Sequence, residues 1–183
     1  MRVKNLFMDK PVIICIGSSR VSGDSLGPLV GDELTHVYNV DAYVYGRSDW
    51  TVTALNLNDI YNYITKVHKN APIIAVDACV GKLSEIGKIK ISMGGISAGS
   101  ALKRNFTRIG DISVLGVVCE SATDNLSALM SAPFDLVEKL AKRASKHISQ
   151  LLNSPGFSEF SKQKTDFYFE SAIASSDISE ALY

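Results

Sequence analysis

Two hydrophobic patterns alternate along this chain: short unbroken apolar runs, and longer stretches with apolar residues three or four positions apart. Pro11–Ile16 (PVIICI) and Ala71–Cys79 (APIIAVDAC) are unbroken and rich in β-branched residues, the pattern of strands covered on both faces. Val40–Gly46 (VDAYVYG) alternates apolar and polar positions and predicts a strand nearer a sheet edge. Glu85–Ser92 (EIGKIKIS) alternates more cleanly, and its link from the preceding strand is too short for a crossover helix, so an antiparallel direction is expected. Asp111–Cys119 (DISVLGVVC) reads as a fifth strand. Between these, Leu26, Leu29, Val30, Leu34 and Val37 recur at helical spacing; Pro28 is tolerated only in a first turn, which predicts a helix beginning near Ser25. Asn56–Lys69 predicts a second helix, ended by Pro72. Leu126–Ser131 and Pro133–Asn153 predict a broken pair of helices, the second amphipathic through Leu136, Val137, Leu140, Ala144, Ile148 and Leu151.

Strands alternating with helices imply an α/β sandwich with a mostly parallel five-stranded sheet, whose sites lie outside the carboxyl ends of the strands. Two carboxylates fall on that rim. Asp24 stands just before the first helix, where the helix dipole favours an anion unless another negative charge approaches. Asp77 closes the third strand. If the first and third strands are neighbours, both face one crevice, whereas Asp111 starts its strand and belongs to the opposite edge.

Composition narrows the classes. The 183 residues are 46% hydrophobic and 21% charged, enough for one compact core, expected over residues 1–153. Nineteen basic residues balance nineteen acidic ones, so no global field favours nucleic acid or an anionic membrane. No apolar stretch approaches the roughly 20 residues of a bilayer span, and an intracellular, cytoplasmic protein is expected. The cysteines Cys15, Cys79 and Cys119 lie in apolar runs without C-x-x-C spacing and read as reduced thiols. Residues 154–183 are rich in serine and aromatics. They read either as a disordered tail or as a segment that docks through Phe157, Phe160 and Phe167-Tyr168-Phe169.

Read together, CIGSSRVSGDSLGPLVGDEL and IIAVDACVGKLSEIGKIKI, followed by GGISAGSALKRNFTRIGDISVLGVV, resemble the YyaC-like spore protease family of spore-forming bacteria, from about Val12 to Val118. More distantly, the two motifs are similar to those of the germination protease that degrades small acid-soluble spore proteins, and of hydrogenase maturation proteases. The resemblance implies a three-layer α/β/α, phosphorylase/hydrolase-like fold. It also implies that Asp24 and Asp77 are the acidic pair of a peptidase acting on a protein substrate, small spore proteins among the candidates. In the hydrogenase maturation enzymes the matching acids and a histidine contact nickel of the substrate. Here His36, His68 and His147 all fall in predicted helices away from the rim, so no metal and no cofactor is expected.

Two carboxylates a few ångströms apart cannot both ionise easily, so one keeps a proton and the pair can serve as base and acid on a water attacking an amide. The plainer reading is that Asp24 steers a helix start and Asp77 bonds loop amides. Ser18, Ser19, Arg20 and Ser22 could cradle an anion, although the spacing matches no phosphate-loop motif. Arg20 could hold a substrate carboxylate. Gly23 belongs to the same loop, and Gly94, Gly95, Gly99 and Ser100 could admit an extended substrate backbone along a glycine-rich rim. Cys79 shares Asp77's side of its strand but has no histidine to activate it, so core packing is its expected role. The readings left open are a peptidase of sporulation or germination, a non-catalytic binding module on the same fold, and a small-molecule amidase or phosphorylase; a homo-oligomer is compatible with each.

Overall fold

The structure is a computed structural model and describes residues 10–96 and 108–164. Five strands, β1 (Val12–Cys15), β2 (Tyr43–Tyr45), β3 (Ile73–Gly81), β4 (Ile89–Met93) and β5 (Ile112–Glu120), form one sheet in the order β2-β1-β3-β5-β4. All neighbours are parallel except β4, which runs antiparallel to β5, as its short link from β3 requires. The sheet is therefore mixed, and β1 and β3 are adjacent.

Helices cover both faces and make three layers. α1 (Leu26–Asp32) and α4 (Phe134–Leu152) lie on one side, and α2 (Leu57–Val67) lies on the other; the short α3 (Asn125–Met130) joins β5 to α4. Strand alternation sorts the core accordingly. Ile13, Cys15, Ile74, Val76, Val114 and Val118 pack with Leu26, Val30, Val137, Leu140 and Ile148 on the α1/α4 side. Val12, Ile14, Ile16, Ile73 and Ala75 pack with Leu57, Ile60 and Ile64 of α2. The unbroken apolar runs of β1 and β3 are thus those of strands buried on both faces, and all four β1 residues are fully covered.

The carboxyl end of β1 is where the chain packs tightest. A Cβ on Gly27 would stand 2.0 Å from the Ile16 carbonyl oxygen, one on Gly46 1.9 Å from that of Cys15, and one on Gly17 2.0 Å from that of Asp24. Gly17 and Gly46 also hold positive φ angles of 146° and 91°. Only glycine lets the start of α1 and the exit of β2 close directly onto the backbone of β1. Leu26, at the first position of α1, crosses to β5 and lies against Gly116, where a Cβ would be 2.3 Å from its Cδ2.

Beyond α4 the described part of the chain follows the docking alternative. Residues 155–164 are helical. The Ser154 hydroxyl oxygen accepts the Phe157 amide at 3.2 Å, which starts this helix after the break at Asn153. Phe157 is buried in the α1/α4-side core with Phe160 packed beside it, ring centroids 6.2 Å apart. Lys164 closes the segment, donating to the Ala71 carbonyl at 2.8 Å and pairing with Asp111 at 2.5 Å. Asp111 lies at the amino edge of the sheet, where its carboxylate accepts the Ile73 amide at 2.7 Å. Phe167, Tyr168 and Phe169 lie outside the described residues.

Two substitutions test this packing. Gly27→Ala is expected to cost roughly 3 kcal/mol or more, or to abolish folding, because backbone would have to move. Gly156→Ala sits in the 155–164 helix with nothing within 4 Å of the added Cβ, so about 0.5–1 kcal/mol of stabilisation is expected. Urea unfolding of both variants checks the contrast.

Candidate active site

Asp24 is carried by a tight 3-10 turn, Gly23–Ser25, that leads directly into α1. The turn is fastened on three sides. The Asp24 carbonyl accepts the Ser18 amide at 3.1 Å, the Ser25 hydroxyl donates to the Ser22 carbonyl at 2.6 Å, and the Ser22 hydroxyl donates to the Ala132 carbonyl, 110 residues away, at 2.7 Å. Gly23 is buried under α3: a Cβ there would stand 2.7 Å from the Leu129 carbonyl oxygen. Asp77 projects from β3 just before a register shift between Cys79 and Val80. The main chain links the two sites, since the Ile16 amide donates to the Val76 carbonyl at 2.7 Å and Gly17 follows at once beside Asp24.

Both side chains are partly buried, and both carboxyls are held above the usual carboxylate range. For Asp77 the shift is large, up to about 8; burial is its main cause, the nearby Asp24 charge adds to it, and the Ala78 amide, donating to Oδ1 at 2.8 Å, opposes it. Asp24 is raised by burial, and a hydrogen bond from the Ser18 amide offsets part of the rise. Burial thus raises the Asp24 carboxyl despite its place just before a helix, where the dipole favours an anion. At neutral pH Asp77 keeps its proton. A protonated carboxyl within electrostatic reach of a second carboxyl is the arrangement that can give a proton at one atom and take one at another.

The other candidates separate from this pair. Arg20 is exposed on the loop before Asp24. The hydroxyls considered for anion binding serve the loop itself: Ser18 Oγ accepts the Arg20 amide at 3.2 Å, and Ser22 is bound to Ala132. Gly94 and Gly95, expected on the aspartate rim, lie at the opposite edge. Because β4 is antiparallel, its end is level with the start of β5: Met93 pairs with Ile112, and the Gly94 amide donates to the Asp111 carbonyl at 2.7 Å. Gly99 and Ser100 lie outside the described residues. Burial pushes the Cys79 thiol up to about 11, with Lys90 opposing, so the thiol is protonated at neutral pH and no thiolate nucleophile is present. His36 and His147 are exposed on helical turns, and His68, at the end of α2, bonds the Tyr45 hydroxyl at 2.9 Å. Among the described residues, no group of three His, Cys, Asp or Glu side chains could hold a metal ion.

The tethering through Ser22 and the glycine contacts around Asp24 were not legible in advance. A serine two residues before an aspartate is common, and only the fold brings Ala132 and Leu129 against that loop.

Residues 1–147 match the family described as a protein of unknown function, DUF1256. The chain is also 36% identical over 138 residues to the uncharacterized protein YyaC of Bacillus subtilis (strain 168), across 75% of this chain and 67% of that one. The chain belongs to this YyaC-like family. Among solved structures, the [NiFe] hydrogenase maturation protease HycI of Thermococcus kodakarensis KOD1 is similar, with a TM-score of 0.51 at 18% identity over 80% of this chain and 94% of that one. Peptidyl-tRNA hydrolase of Acinetobacter baumannii is similar with a TM-score of 0.58 at 12% identity, over 87% of this chain and 94% of that one. At such identities the likeness is one of fold, and this chain has the hydrogenase maturation protease-like α/β architecture.

The electrostatics make a prediction for this YyaC-like protein. Asp77 is protonated in the folded state up to about pH 8 but only to about pH 4 when unfolded. The folded state binds the extra proton between those values, so its stability falls as pH rises through that window. Asp77→Asn is expected to gain stability over wild type as pH rises, by up to about 1.4 kcal/mol per pH unit between pH 4 and 8, with the gain vanishing towards pH 4. Denaturant unfolding of both proteins between pH 4 and 8 checks this.

Proposed function

We propose that this protein is a peptidase of sporulating cells, acting in the cytoplasm or spore interior on a protein substrate, small spore proteins among the candidates. Asp24 and Asp77 are its acid–base pair. The observation that carries the reading is the pair of raised carboxyls, Asp77 within β3 and Asp24 in the turn before α1, with the Asp24 charge adding to the rise at Asp77. Asp124, a carboxylate that caps a helix start, is held below the usual range, because Ser127 and Leu126 donate to it at the start of α3. Asp77 accepts one amide and is nonetheless driven the other way. The fold shared with hydrogenase maturation proteases agrees with this reading at a coarse level.

In this mechanism the ionised Asp24 takes a proton from a water as its oxygen attacks the amide carbonyl carbon, while Asp77 donates to the carbonyl oxygen that becomes negative. Collapse of the tetrahedral intermediate breaks the C–N bond. The proton gained by Asp24 passes to the departing amine, and the hydroxyl proton returns to Asp77, so both carboxyls end as they began. No metal is required to balance the step. The likeness to peptidyl-tRNA hydrolase does not extend to RNA in this proposal, because nineteen basic and nineteen acidic residues supply no net field for a phosphate backbone.

Cleavage of purified small spore proteins, measured from pH 4 to 9, tests the reading. Activity is expected to fall above about pH 8 as Asp77 loses its proton, and to fall in acid as Asp24 gains one. Asp24→Asn and Asp77→Asn, each folded, are expected to lose at least a hundredfold in kcat. An activity that survives either substitution, or no cleavage by wild type at any pH, would reject the peptidase and favour a binding module on the same fold.

A further inference from the structure

Trp50 is the only tryptophan of the chain, and 53% of it is open to solvent. It is held firmly. The turn Arg47–Trp50 is closed by the Trp50 amide donating to the Arg47 carbonyl at 3.0 Å. The Arg47 guanidinium grips Asp49 with two hydrogen bonds, at 3.1 and 2.7 Å, and the Ser48 amide donates to the Asp32 carboxylate of α1 at 3.2 Å. Just before the turn, Gly46 lies against Cys15; just after it, the fully buried Val52 accepts the Gly17 amide at 2.8 Å. A half-exposed indole on a turn whose backbone is fastened on both sides is an aromatic surface with only two side-chain torsions to order when a partner packs on it.

Its position relative to the aspartates follows from the sheet. The Trp50 ring stands 6.4 Å from that of Tyr45, and Tyr45 packs with the α2-side core. Asp77 shares its strand parity with Ile73 and Ala75 and so belongs to the same α2 side. The turn and Asp77 are also at one rim, since Val52 bonds Gly17 and Ile16 bonds Val76. From β2 to β3 is two strand spacings, about 10 Å, which about three residues of extended polypeptide span.

We propose that Trp50 is the residue of this site that selects its substrate. The exposed face of its indole receives an apolar or aromatic side chain of an extended polypeptide, about three residues from the bond held at Asp24 and Asp77. This rests on the peptidase reading for the identity of that bond, but the recognition itself does not require turnover. A polypeptide fits better than a nucleic acid because the one arginine in the turn is already paired with Asp49.

The single tryptophan supplies the test. Acetylated, amidated decapeptides of alternating glycine and serine are prepared with one central Phe, Leu or Asp and titrated into the full-length protein while its fluorescence is recorded. The Phe and Leu peptides are expected to give a saturable blue shift in wild type and in Asp77→Asn alike, and the Asp peptide none. With a cleavable spore protein, Trp50→Ala is expected to raise KM about tenfold at unchanged kcat, and Trp50→Phe to restore most of it. Equal responses to all three peptides, no response, or an unchanged KM in Trp50→Ala would overturn the assignment while leaving the aspartate pair untouched. If wild type cleaves nothing, the peptidase reading fails and the fluorescence decides alone: a shift selective for Phe and Leu upholds Trp50 as the recognition residue of a binder, and its absence overturns it.

Discussion

The contact on which the rest depends is the approach of three chain segments to the carboxyl end of β1 at backbone distance. Gly17, Gly27 and Gly46 each stand where a single added carbon would meet a carbonyl oxygen at about 2 Å. Through Gly27, α1 begins directly on Ile16; through Gly46, β2 leaves against Cys15; through Gly17, the loop folds back on Asp24. Hydrophobic burial supplies most of the driving force for such a sandwich, but it does not direct the segments to one point. Steric permission does, and here it is granted only where the side chain is missing.

That convergence has an electrostatic consequence. Packing three backbones around one strand end leaves little room for water, so the two carboxylates delivered there are desolvated, and the Asp24 charge further raises the cost of charging Asp77. A protein that needed only a stable core would avoid this, because burying Asp77 makes the fold less stable at neutral pH than an uncharged residue would. Keeping a proton on one carboxyl is useful where a proton is to be moved. The same crowding fastens the turn of Trp50, since Val52 and Gly46 bracket it against Gly17 and Cys15. The aspartate crevice and the exposed indole are therefore two results of one packing constraint.

Much of the architecture was legible in the chain. The unbroken runs at Pro11–Ile16 and Ala71–Cys79 became the buried β1 and β3, the alternating EIGKIKIS became the antiparallel edge, and Pro28 marked the first turn of α1. An antiparallel strand ends at the other edge, so Gly94 and Gly95 lie beside Asp111 and not beside Asp77. At Ser154 the composition left a disordered tail and a docked segment open, and a serine cap with two phenylalanines three apart docks residues 155–164 on the core as a further helix.

By itself the sequence determined the order and type of the elements, because periods of two and about 3.6 are local properties readable over a few residues. It placed Asp24 just before the first helix, but it put Asp77 at the close of its strand, whereas β3 runs on past Asp77 to Gly81 beside the equally long β5. Only the tertiary structure decided that those carboxyls are desolvated and that Asp24 acts on Asp77, that Ser22 is bound to Ala132, and that the lone tryptophan sits on a fastened turn at the same rim. Each depends on atoms brought together from distant parts of the chain, and burial, the dominant cause of both shifts, is a property of the packed molecule that no local pattern encodes.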